Sequence, residues 1–151
     1  MIGNVDNSGN FSLSVLTAAL KRSFDIELLS WSGSEGREQL EVTQEKGFVV
    51  NSDNHWYCIR KIGEHWWNLD STLQRPEHVS PLYLEMYLSE LRAQGNMIFL
   101  ARGSVPVGGV LGYNATDNPN AVWYTEANLL DKPKAKRKFS GMPRIVCQKS
   151  L

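Results

Sequence analysis

The stretch GFVVNSDNHWYCIRKIGEHWWNLDS, residues 47 to 71, alternates apolar and polar side chains with a period near two and carries Gly63 between two such runs. That pattern predicts a strand followed by a β-hairpin. With Ile62 and Gly63 as a two-residue loop, Ile59 faces Trp66, Cys58 faces Trp67, Tyr57 faces Asn68 and His55 faces Asp70. Directly opposed residues of an antiparallel pair have Cβ atoms about 4.5 to 5.5 Å apart. The His55 imidazole and the Asp70 carboxylate would then share a hydrogen bond at the open end of the hairpin, which is half of a catalytic triad. Ile62 is a poor residue for the positive φ of a type I′ turn. A three-residue loop with a glycine bulge would slip the pairing by one and leave Asp70 diagonal to His55, still within reach.

Two readings of this pair stand. A structural hydrogen bond is the common one; a proton-handling pair is favoured by position, because His55 follows the polar loop NSDN and Asp70 ends the neighbouring strand. Trp56, Trp66 and Trp67 would either desolvate the site or fill the core. Asn68 shares the His55 face and would either orient the site or serve as an ordinary strand residue. His65 beside the turn and His78 in a proline-bounded loop have no metal-ligand spacing to a cysteine or acid and read as surface histidines. Cys58 lies three residues after His55, so it points to the opposite face of the strand and cannot be activated by that imidazole.

Outward from the hairpin, Ser12 reads as an N-cap for an amphipathic helix in which Leu13, Leu16, Leu20 and Phe24 recur at helical spacing, ended by Asp25. IELLSW, residues 26 to 31, reads as a buried strand, and residues 35 to 46 as loop with a short helical turn. LQRPEHVSP reads as a connection. Ser80 followed by Pro81 is a cap-then-N1 helix start, with Leu84, Leu88 and Leu91 as its apolar stripe and Gly95 as its terminator. MIFLAR, residues 97 to 102, reads as another buried strand. From residue 108 the texture changes to glycines, an Asn-Pro pair and a basic run over 132 to 138. The expected organisation is therefore one packed unit over 1 to 107 and a flexible tail over 108 to 151, whose Trp123 and Tyr124 either dock on the domain or bind a partner.

The chain has 151 residues, 42% of them hydrophobic, and a formal charge of zero. That suits one domain with a real core and supplies no overall field to attract nucleic acid or a membrane. No apolar run approaches the roughly 20 residues of a membrane-spanning helix, and the start lacks the basic and apolar regions of a signal peptide. An intracellular protein, cytoplasmic or nuclear, is expected. Cys58 and Cys147 make no disulfide framework, and no metal or cofactor is expected. Lys132, Lys134, Lys136, Arg137 and Lys138 would be either a nuclear import signal or a solvated run.

SGNFSLSVLTAALK, the 47 to 71 stretch, SPLYLEMYLSELRAQG and MIFLARGSVP, in this order and spacing, resemble the Josephin domain of the ataxin-type cysteine deubiquitinases over about residues 3 to 106. The resemblance implies a papain-like α+β fold, an antiparallel sheet flanked by helices. It also implies a ubiquitin-specific cysteine protease, with His55 as general base and acid and Asp70 as the residue orienting it. Ubiquitin is the implied partner, with Leu13 and Ser14 at a contact position of the first helix; a second contact, aromatic in some family members, falls on Ser23. Josephin domains begin with a Gln that helps build the oxyanion site, a nucleophilic Cys at a helix start and a helical hairpin, none of which precedes Met1. The sequence thus resembles the carboxyl half of the domain, with the helical front half missing through a misplaced start. The chain as given is expected to be inactive. The alternative is a noncatalytic ubiquitin-binding or pseudoenzyme fragment.

Overall fold

A computed structural model describes residues 12–31, 41–106, 122 and 124–131. In chain order the elements are α1 (Leu13–Phe24), β1 (Ile26–Ser30), a 3-10 turn (Val42–Gln44), β2 (Gly47–Ser52), β3 (His55–Ile62), β4 (His65–Asn68), β5 (Glu77–Val79), α2 (Pro81–Ala93), β6 (Met97–Gly103) and α3 (Glu126–Leu130). The six strands form one antiparallel sheet in the order β1-β6-β2-β3-β4-β5. With its flanking helices it is the expected α+β, papain-like arrangement.

Successive residues of a strand point to opposite faces, so each strand feeds two layers. Phe48, Val50, Tyr57, Ile59, Trp66, Ile98 and Leu100 lie on one face and pack with Leu84 and Leu88 of α2. Phe48 and Trp66 meet at 5.6 Å between ring centroids, and Trp31 extends the stack, with the Arg92 guanidinium 4.8 Å above its ring. The other face carries Ile26 and Ala101, which cluster with Val105 and, from α1, Leu20. Leu100 and Ala101, neighbours on β6, thus serve different cores.

Local chemistry sets the ends of the elements. The Ser80 side chain accepts a hydrogen bond from the Tyr83 N–H, and Pro81 stands at the first helical position of α2. At the other end the Asn96 N–H reaches Leu91 O and the Gly95 N–H reaches Arg92 O, a Schellman pair that Gly95 permits with φ 89°. The α1–β1 corner turns on Asp25, which is left-handed at φ 52°, while Lys21 bonds both Asp25 and Glu27 across it. Gly103, at φ 104°, passes so close that a Cβ there would sit 2.3 Å from the Asp25 carbonyl oxygen.

The hairpin register differs from the expected one by two residues. Ile59 pairs with Asn68, Arg60 with Trp67 and Ile62 with His65, so the loop is Gly63-Glu64 and Ile62 stays in β3. The reason is backbone conformation: the positive φ, 61°, is taken by Gly63, and among the loop residues only glycine adopts it without cost. A slip of two leaves every side chain on its original face. The other tight turn uses Asp53 and Asn54, both at positive φ, which closes Ser52 against His55.

Two further elements lie where none was expected. Glu77–Val79, within the stretch read as a connection, pairs with β4. Within the stretch read as tail, α3 starts at a Thr125 cap and sits against the β4–β5 region, with Tyr124 Oη bonding Gln74 O at 3.4 Å and Arg75 bonding Asn128 O at 3.4 Å. Residues 1 to 11, Trp123 and the basic run 132 to 138 lie outside the described residues.

Candidate functional site

His55 opens β3 directly after the Asp53-Asn54 turn, and Asp70 follows the end of β4 by two residues. Both lie at the end of the hairpin away from Gly63-Glu64, on the α2 side of the sheet, since His55 shares a strand face with the core residues Tyr57 and Ile59. Extending the ladder past Asn68 would set Thr72, not Asp70, opposite His55. The chain leaves the ladder after Leu69 and turns, which carries the Asp70 carboxylate back to the imidazole. His55 Nε2 donates to Asp70 Oδ1 at 2.7 Å. The pair is half-buried, with 35% and 17% of the two side chains exposed.

Asp70 Oδ1 also accepts from the Thr72 N–H and the Thr72 hydroxyl, each at 2.8 Å. Burial pushes the Asp70 carboxyl up, but the two Thr72 bonds and the His55 ring outweigh it and hold the group below the usual carboxylate value. Asp70 is therefore an anion at neutral pH, and an acceptor only. An anion at Nε2 fixes the neutral ring as the Nε2–H tautomer and leaves the Nδ1 lone pair, on the far side of the ring, as the proton acceptor.

The ring against His55 is Tyr57, stacked at 5.6 Å and 22°. The three tryptophans are elsewhere. Trp66 lies in the α2-side core, Trp67 is buried on the opposite face beside His78, and Trp56 packs on Phe99, so the core reading holds for Trp66 and Trp67. Burial, with the neighbouring Tyr87 and Asp70, pushes the Tyr57 hydroxyl well above the usual phenol value; it stays neutral. Asn68 is buried, 7% exposed, with its side-chain oxygen accepting the Asp70 N–H at 3.1 Å and its amide donating to Tyr87 Oη at 3.2 Å.

The remaining candidates fall apart from this site. Cys58 is a cysteine outside any disulfide, on the opposite sheet face, and lies opposite Val49 of β2. His65 bonds Glu126 of α3 through Nδ1 and stands 5.2 Å from the exposed His78 ring; no metal-binding group of three acids, histidines or cysteines occurs among the described residues. Leu13, 37% exposed, and Ser14, whose hydroxyl bonds that of Ser12, lie at the open start of α1. Sequence reasoning assigns no functional role to Thr72 or Tyr87. Thr72 carried a weak signal as a hydroxyl residue two positions after an Asp, the spacing of a side-chain-stabilised turn, whereas Tyr87 carried none.

The sequence profile of the Josephin family matches residues 1–102. The chain belongs to the Josephin family. It is 38% identical over 105 residues to ataxin-3 of Homo sapiens and of Rattus norvegicus, an alignment covering 69% of this chain and 29% of either relative. To the ataxin-3 homolog of Arabidopsis thaliana it is 35% identical over 104 residues, covering 68% of this chain and 37% of the relative. The chain thus spans about a third of the length of the curated relatives it matches.

Proposed function

We propose that this Josephin chain carries the proton-handling half of a cysteine-type deubiquitinase site, with His55 as general base and acid and Asp70 as its orienting anion. The single observation that carries this reading is the 2.7 Å bond from His55 Nε2 to a carboxylate that three donors keep ionised. In the reaction, Nδ1 takes the proton of a cysteine thiol. The thiolate adds to the carbonyl carbon of the ubiquitin C-terminal glycine. The imidazolium then gives its proton to the leaving amine as the C–N bond breaks, which leaves a thioester, and a water deprotonated by His55 hydrolyses that thioester. Cys58 cannot serve, because it faces away from His55; the thiol belongs to a part of the site outside the described residues.

A second reading, noncatalytic binding of ubiquitin, draws on α1, whose Leu13 and Ser14 are exposed and whose helix contains no fully buried residue. Two measurements separate the readings. One is release of a fluorogenic amine from the ubiquitin C-terminus by the complete gene product, with and without His55→Ala. The other is titration of the isotope-labelled chain with ubiquitin. The enzyme reading expects His55→Ala to cost about 10²- to 10⁴-fold in turnover, the usual contribution of an acid–base group, with ubiquitin affinity kept. Undiminished turnover in that variant sinks the role of His55. Absence of turnover together with ubiquitin-induced shifts at Leu13 and Ser14 replaces the enzyme reading by the binding one.

A further inference from the structure

Asn68 is a buried polar residue in a sheet whose neighbours on that face are core, and burial of an amide is tolerated only when its groups are bonded. Both of its side-chain bonds are specific. The oxygen accepts the N–H of Asp70, two residues on, which closes the turn that takes the chain out of the β4 ladder. The amide donates to the hydroxyl of Tyr87, one turn before the half-buried Leu91 of α2 and stacked on Tyr83 at 5.5 Å. The ladder register alone sets Asp70 diagonal to His55, and the turn closed by Asn68 is what departs from that register.

We propose that Asn68, clamped to α2 by the Tyr87 hydroxyl, is the positioning residue that aims the Asp70 carboxylate at His55 Nε2, so that the docking of α2 on the sheet sets the alignment of the pair. The inference rests on the role given above to His55 and Asp70 and adds what fixes their geometry. Tyr87 suits the task because its hydroxyl is rigidly placed by a stacked, half-buried ring, and because burial pushes its ionisation up and keeps it a neutral partner for the amide. Thr72 holds the carboxylate once it is there, but it is exposed and on the same turn as Asp70, so it cannot relate that turn to the rest of the fold.

The test uses the chain itself and reads the His55 ring proton. In the neutral protein, the exchange of the Nε2 proton with solvent is followed by NMR in wild type, Tyr87→Phe, Asn68→Ala and, as a reference, Asp70→Ala, alongside each melting curve. Wild type should show a protected Nε2 proton that Asp70→Ala loses. Asn68→Ala should exchange about tenfold faster, the factor expected for one lost hydrogen bond, and Tyr87→Phe should move in the same direction by less. A Tyr87→Phe protein that is destabilised but keeps the wild-type exchange rate, with Asn68→Ala folded and equally protected, overturns the proposal and leaves a purely structural role. Should Asn68→Ala fail to fold, Tyr87→Phe decides when read against Tyr57→Phe, because the Tyr87 hydroxyl also bonds that of Tyr57, whose ring stacks on His55; equal exchange rates in the two variants overturn the proposal. If wild type has no protected Nε2 proton, or Asp70→Ala keeps it, the reading of His55 and Asp70 fails instead.

Discussion

The two long helices sit on opposite faces of one sheet and hold to it by different means. Helix α2 buries Leu84 and Leu88 completely against Phe48, Val50, Ile59 and Trp66, is capped by Ser80 and ends in a Schellman turn. Helix α1 buries no residue fully; Leu20 packs on Ile26 and Ala101, while Leu13 and Phe24 stay 37% and 58% exposed, and Ser12 spends its hydroxyl on Ser14 rather than on the helix N–H groups. The pair His55–Asp70 lies on the α2 side and is tied to α2 through Asn68. The difference teaches that the α2 layer carries both the core and the site geometry, whereas the α1 layer is at most half-buried along its length.

The sharpest contrast is in core truncation. Leu84→Ala should cost about 2 to 5 kcal/mol of unfolding free energy, and Leu20→Ala about 1 kcal/mol, because only part of its side chain leaves water; denaturant melts of equal size for the two would break the comparison. Next comes Asp70, whose bonds as an anion should contribute about 1 to 3 kcal/mol at neutral pH. Its carboxyl is held below the ordinary value of 3.8, so this stability is present above that value and is lost as pH falls through the folded-state value. Melts of wild type and Asp70→Asn should therefore differ most near neutral pH and converge in acid. The helix caps make a smaller test: Ser80→Ala should cost about 1 kcal/mol and Ser12→Ala within about 0.5 kcal/mol, since only the first loses a cap bond. Smallest is Glu126→Ala, which removes an exposed ion pair to His65 and should lower stability by less than about 1 kcal/mol.

The periods of Leu13, Leu16, Leu20 and Phe24 and of Leu84, Leu88 and Leu91 were equally legible, yet one stripe is buried and the other half-open. A period tells which residues share a face and is silent about what meets that face. Strand β5 escaped because three residues after Pro76 are too few to show an alternation; it exists because the outer edge of β4, with Trp66 and Trp67 buried, has backbone groups to pair. The hairpin register was misread at the one point where φ rather than hydropathy decides, and His55 still meets Asp70 because the slip preserves the face and the chain turns back after Leu69. The contact between His55 and Asp70 was thus legible in the sequence. The clamp from Asn68 to Tyr87 was not, since nothing in a linear pattern shows that a position 19 residues on, in a helix, comes within 3.2 Å.

The most direct test of the account is the tautomer of neutral His55, read from long-range proton–nitrogen NMR of the labelled chain and of Asp70→Ala. The account predicts the Nε2–H form in wild type, with Nδ1 unprotonated and ready to accept a proton, and a shift toward a mixture when Asp70 is removed. An Nδ1–H ring in wild type, or tautomer populations indifferent to Asp70, would contradict it.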